Sequence, residues 1–311
     1  MLIEVIGMPW GSMPCGGFQE AKNRPCLGYQ PETEGAKPRT PLFKISNNLL
    51  ILGEELSEVR EIEKPGNLGQ TGFPRVLVIT NEEKMMKSAL WGAFYSFAIL
   101  DPSCTMTMPM KQVISGAFDS LSHSMETYMG SPGEVNLSDE INEATQRNII
   151  RNIRATLKDP QDVRARSELI WAAAMAENGI LKIGKATDFQ CHMLEHQLGA
   201  YTDCNHGQGL AVLHPVLYRH MMPEANRQFA RMATEVWGIS ADGKSEAELA
   251  EAFVDTLEAF IKEIGLPTTF SEMGIPEETD YKAIADSTVL TGGCAKKFTK
   301  TELLEILLEC R

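Results

Sequence analysis

The chain has 311 residues, of which 43% are hydrophobic and 23% charged, with a net charge of −13 at pH 7. That length suggests two domains or one large one, and the composition excludes a disordered, collagenous or mucin-like chain. The acidic balance disfavours phosphate backbones, so nucleic acid is not an expected partner, and no apolar run approaches the roughly 18 residues of a membrane span.

Residues 1–74 hold eight of the sixteen prolines, which excludes long helices there. Short strand-like runs occur at 2–6, 48–52 and 76–80, with turn-rich stretches such as 28–39 between them. From about Lys111 the texture changes to amphipathic helices. The pattern predicts helices at 113–128, 138–157 and 163–178, the last closed by Gly179 in a left-handed cap. Further helices are predicted at 187–200, 208–219 and 224–237. The helix predicted at 245–264 opens with Ser245 and Glu248, a capping-box pair, and stops at Gly265 and Pro267. A helix at 298–310 closes the chain. The reading is thus an all-helical unit of about 200 residues, a size at which one core suffices, after a short α/β-like region.

The seven cysteines show no CxxC and no regular spacing. They read as reduced thiols, and the start lacks a basic region followed by an apolar run, so a cytoplasmic protein is expected.

All six histidines lie between 123 and 220. Asp119 and His123 are four apart on one predicted helix, which puts both on one face a turn apart. His192 and His196 repeat that spacing on a later helix, and His206 follows past the turn Asp203-Cys204-Asn205. Such a turn can return His206 beside His192. Asp119, His123, His192 and His206 can then face one ion, with His196 a turn along. Three imidazoles and a carboxylate suit Fe(II), Zn(II), Mn(II) or Co(II), whereas calcium and magnesium prefer more oxygens. A helical pair of polar residues is commonly a solvated face, so the weight rests on the joint pattern. His214 and His220 read as structural. Glu126, seven past Asp119, reads as an ordinary surface glutamate rather than a support for the site.

At these residues the chain resembles the iron-containing (group III) alcohol dehydrogenases, in their butanol-dehydrogenase-like branch. The likeness is carried by ILDPSCTMTMP (99–109), ISGAFDSLSHSMETYMG (114–130) and HMLEHQLGAYTDCNHGQGLAVLHP (192–215). It extends more loosely from Ile79 to the C-terminus. The resemblance implies a dehydroquinate synthase-like architecture: an α/β nucleotide-binding domain, here an incomplete remnant over 1–110, then an all-α metal-binding domain over 111–311. It implies Asp119, His123, His192 and His206 as ligands of Fe2+ or Zn2+, and NAD(H) or NADP(H) as cofactor. Thr71, Gly72, Thr107 and His196 become cofactor-contacting positions, with His196 also relaying a proton. The implied activity is hydride transfer between NAD(P)H and short primary alcohols or aldehydes, by a homodimer. A metal-dependent hydrolase could use the same ligands, but no adjacent general base points to one.

The first 77 residues depart from that pattern. The family's glycine-rich phosphate loop opens a helix whose free N–H groups hold pyrophosphate. Here Gly16-Gly17-Phe18 is the nearest candidate, with no apolar strand before it. The second cofactor motif is reduced to Thr71-Gly72-Phe73-Pro74. The expectation is that residues 1 to about 77 derive from a truncated and frame-shifted coding region. The alternative function is then a metal-binding relic without a working cofactor site.

Overall fold

A computed structural model describes residues 43–45, 74–81, 84–94 and 100–311, apart from 132, 188, 291 and 293. The strand-like runs at 2–6 and 48–52, and most of the divergent first 77 residues, lie outside the described residues. Three strands are described: β1 (Phe43–Ile45), β2 (Pro74–Asn81) and β3 (Met86–Phe94). They form an antiparallel sheet in the order β1-β2-β3, with Lys44 opposite Thr80 and Ile79 opposite Ser88. The run predicted at 76–80 is thus the middle of β2. Among the described residues of the α/β region there is no strand–helix–strand unit.

A 3-10 turn at Pro102–Thr105 leads into the helices, which are α1 (Met110–Tyr128), α2 (Leu137–Lys158), α3 (Val163–Glu177), α4 (Gln190–Thr202), α5 (His206–Glu235), α6 (Glu246–Glu263), α7 (Phe270–Met273), α8 (Tyr281–Ser287) and α9 (Lys300–Glu309). The predicted stop signals act as expected. Gly179 has φ 93° and Gly265 φ 75°, and Ser245 with Glu248 forms the capping box of α6. The short α7 and α8 were not predicted from the sequence. No helix among the described residues is long and apolar enough to cross a membrane.

The helices predicted at 208–219 and 224–237 are joined in α5, which runs through Pro215 and Pro223 and kinks at Ala225 (φ −127°, ψ 16°). Proline lacks an N–H and crowds the preceding turn, so it bends the helix without separating its halves. The helix predicted at 187–200 starts later, at Gln190, because Phe189 sits in the left-handed region (φ 50°, ψ 48°).

α1 is the central helix, packed against α2, α3 and α5, while α4 packs against α5, α8 and β3. Phe118, Leu121 and Met125 of α1 are fully buried, and so are Leu194 and Leu198 of α4 and Leu210 and Leu213 of α5. Away from the site, Tyr218, Phe229 and Phe253 cluster, the last two stacked at 5.5 Å. Buried Arg166 of α3 donates to the Thr105 and Pro160 carbonyls at 3.4 and 3.2 Å, which fixes the segment before α1.

The α1–α5 approach depends on the absence of a side chain. A Cβ on Gly207 would lie 2.2 Å from the Ser115 carbonyl oxygen. Gly207→Ala must push α5 off α1, and urea unfolding should show a loss of roughly 2 kcal/mol or more. Gly116→Ala, where a Cβ would meet nothing within 4 Å, should instead gain up to about 1 kcal/mol from helix propensity.

Candidate metal centre

Asp119 and His123 project from α1, His192 from α4, and His206 from the first turn of α5. α4 ends with Asp203 in the left-handed region (φ 53°, ψ 28°), and Asn205 caps α5 by accepting from the Gln208 N–H at 3.1 Å. That tight reversal places His206 beside His192, with ring centroids 5.3 Å apart.

The three imidazoles converge on one oxygen of Asp119. Asp119 Oδ1 lies 3.2 Å from His192 Nε2, 3.4 Å from His206 Nε2 and 3.6 Å from His123 Nε2. Metal–ligand bonds of about 2.0–2.2 Å in a tetrahedral centre put neighbouring ligand atoms about 3.3–3.6 Å apart. The contacts to Asp119 have that spacing, and ligand atoms of Asp119, His123 and His192 all lie within 4.8 Å of one another, whereas His206 joins them through Asp119 and clusters with Glu195 and His196. His196 lies alongside, buried, its ring 5.4 Å from that of His206 and 6.2 Å from that of His192.

Each facing imidazole has a carboxylate at its other nitrogen. His192 Nδ1 bonds Glu126 Oε1 at 2.5 Å, His206 Nδ1 bonds Glu195 Oε2, and Glu177 Oε2 lies 3.5 Å from His123 Nδ1. A carboxylate bonded at Nδ1, as at His192 and His206, leaves Nε2 to face the centre. Glu126 is not a surface residue. It is 5% exposed, and its carboxylate also accepts the Cys191 and His192 N–H groups at 3.0 and 3.1 Å. It thereby caps α4, whose preceding residue Phe189 gives no side-chain cap. Glu177 and Glu195 were not identified from the sequence. Glu195 had a signal, an acid inside the H-x3-H segment, whereas Glu177 is brought in by a separate helix.

Electrostatics follow from this ring of acids. Burial raises the Asp119 carboxyl, but His206, His123 and bonds from His192 and His206 outweigh it and hold it well below the usual range. Burial lowers His192, yet Glu126 and Asp119 lift it to about 9. Burial likewise opposes Glu195 and Asp119 at His206, which rises to about 10. Burial raises Glu177, but His123 and Lys182 bring it down to about 2. His196 has no such carboxylate, and burial together with His206, His192 and Lys87 pushes it well below its ordinary value.

Of the positions assigned to cofactor by resemblance, Thr71 and Gly72 lie outside the described residues. Thr107 is exposed in the turn before α1. His214 is buried, bonded through Nε2 to Ser122 Oγ, and His220 pairs with Glu309 at 3.1 Å, so both have structural partners. Cys191, Cys204 and Cys310 carry free thiols.

The model of the Fe-containing alcohol dehydrogenase family, C-terminal, matches residues 113–310. The chain belongs to this family. Among its relatives, NADH-dependent butanol dehydrogenase B of Clostridium acetobutylicum is 35% identical over 213 residues, covering 68% of this chain and 54% of that protein. NADPH-dependent aldehyde reductase YqhD of Escherichia coli is 31% identical over 179 residues, 58% of this chain and 46% of that protein. The crystal structure of NADH-dependent butanol dehydrogenase A from Thermotoga maritima superimposes with a TM-score of 0.70 at 30% identity, covering 77% of this chain and 63% of that one. The chain spans about half the length of the first two of these relatives. The family match starts within α1 and covers all four converging residues.

His214 carries a pH prediction. Burial lowers it from 6.5 to about 4, against a smaller opposing effect of Glu126. The unfolded chain therefore binds the extra proton in that window, so this contribution is complete above pH 6.5 and is lost as pH falls towards 4. His214→Gln keeps a partner for Ser122 without titrating. Urea unfolding between pH 7.5 and 4 should show a shallower loss in the variant, by up to roughly 3 kcal/mol. Parallel curves would sink the assignment.

Proposed function

We propose that the chain is a metal-dependent alcohol dehydrogenase or aldehyde reductase, moving hydride between NAD(P)H and short primary alcohols or aldehydes. The observation that carries this is the convergence of three Nε2 atoms on Asp119 Oδ1 at 3.2–3.6 Å. The named activities of its relatives support the substrate class.

In this reading Asp119, His123, His192 and His206 hold one Fe2+ or Zn2+ ion. When bound, such an ion polarises a carbonyl or alcohol oxygen and lowers the alcohol's pKa, while the nicotinamide supplies or accepts the hydride. The protein's own part is to hold and orient. The Asp119 carboxylate offsets part of the ion's charge, and the three imidazoles keep Nε2 directed inward. The Phe189 ring, 5.5 Å from His123 and from His192, restricts water on that side. His196 is held neutral beside the centre, with one ring nitrogen able to give a proton and one able to take it. Thr71, Gly72 and Thr107 contact the cofactor, and the helical unit from 111 works against the α/β region before it. The enzyme acts as a cytoplasmic homodimer.

The test uses the full chain supplied with Fe(II) or Zn(II). Bound metal, NADH and NADPH fluorescence and butanal reduction are measured together. One ion per chain, saturable cofactor binding and reduction of butanal are expected. Asp119→Asn and His206→Ala should each weaken metal binding by more than about 100-fold, beyond what loss of an outer hydrogen bond costs. Metal binding with no cofactor signal would favour the relic, and no metal binding at all would end this reading.

Metal uptake should also release protons. His192 and His206, raised to about 9 and 10, are charged at pH 7. An ion must displace those protons, so affinity falls as pH falls. Calorimetry in buffers of different ionisation enthalpy should detect proton release at pH 7, shrinking towards pH 10.

A further inference from the structure

Glu195 is fully buried on α4, and its two oxygens have different partners. Oε2 bonds His206 Nδ1, and Oε1 accepts from Cys204 Sγ at 3.8 Å. One carboxylate thus grips both sides of the reversal between α4 and α5, where Asp203 is left-handed. Its place is kept clear by Gly209, on which a Cβ would lie 2.9 Å from Glu195 Cγ and 3.0 Å from Oε1. From the α1 side, Ser115 Oγ bonds Asn205 Oδ1 and closes the other flank of the turn.

We infer that Glu195 is a positioning residue for His206, fixing its tautomer and directing Nε2 at Asp119 Oδ1. The inference rests on the metal-binding reading above. His206 differs from the other two imidazoles in how its backbone is held. His123 and Asp119 share one helix, and His192 is tied to the capped first turn of α4, whereas His206 follows directly on a three-residue connection. Without a fixed Nδ1 partner its ring is free to turn about its side-chain torsions. The carboxylate also increases the basicity of the facing nitrogen, which a neutral acceptor would do less well.

Glu195→Gln preserves shape and an acceptor oxygen while removing the charge. The probe is Co(II), titrated into the full chain and read by its visible absorption, with circular dichroism as a control on folding. Co(II) affinity should fall about 10–100-fold, with a shifted absorption envelope. The same substitution in a His206→Ala background should cause no further loss, because Glu195 acts through His206. Gly209→Ala, which drives a Cβ into Glu195 Cγ, should shift the spectrum in the same direction, and it carries the test if Glu195→Gln does not fold. Unchanged affinity and spectrum in both variants, or an equal loss with and without His206, would overturn the inference while leaving the metal centre standing. A wild-type chain that takes up no Co(II) would instead overturn the metal-binding reading, and this inference with it.

Discussion

The carboxylate of Glu126 joins α1 to the start of α4. It is buried on α1, accepts the first free N–H groups of α4, and bonds His192 Nδ1. An ionised carboxylate at a helix N-terminus gains from both the unsatisfied donors and the helix dipole. His192 extends its other nitrogen to Asp119, two turns back on the same face of α1. The axial position of α4 and the orientation of His192 are therefore set by one group. Remove that group and a buried helix end loses its partners, which the core cannot replace.

The remaining geometry depends on close approach. α1 is buried over most of its surface, and small residues line it: Ser115, Ala117, Ser120, Ser122 and Ser124. Their hydroxyls are satisfied locally or across helices. Ser120 and Ser124 bond back to the preceding turn, while Ser115 meets Asn205 and Ser122 meets His214. Because Gly207 has no side chain, the start of α5 can lie against the Ser115 backbone. His206, the neighbouring residue, is thereby brought within 3.4 Å of Asp119. Tight packing and the polar centre thus have one origin. Interiors packed to this density do not absorb an added methyl without shifting a helix.

Charge completes the arrangement. Asp119, Glu126, Glu177 and Glu195 surround three imidazoles, with Lys182 paired to Glu177 at 2.8 Å. Concentrated buried carboxylates are costly unless matched by cations. Protons on His192 and His206 provide part of that match, and a divalent ion provides it more compactly. His196, on the same helix but with no carboxylate bonded to its ring among the described residues, is kept neutral by burial and the neighbouring His206 and His192. Two imidazoles four residues apart on α4 thus differ in charge because their neighbours differ.

The sequence by itself determined the helix pattern, the stops at Gly179 and Gly265, the cap at Ser245, and the four residues that converge. These features are local: a spacing of four fixes a helical face, and a glycine or a serine acts on its own turn. It also resolved the family, through segments that lie in α1 and across α4 and α5. Only the tertiary structure decided that Glu126 is buried rather than exposed, that Glu177 and Glu195 sit behind His123 and His206, and that α4 begins at Gln190 instead of 187. It likewise joined two predicted helices into a kinked α5. Each of these depends on a group distant along the chain: Glu126 precedes the α4 residues it caps by about 65 positions. Periodicity records which face of a helix is apolar. It carries no record of which carboxylate on another helix will reach a free N–H, because that is settled when the helices pack.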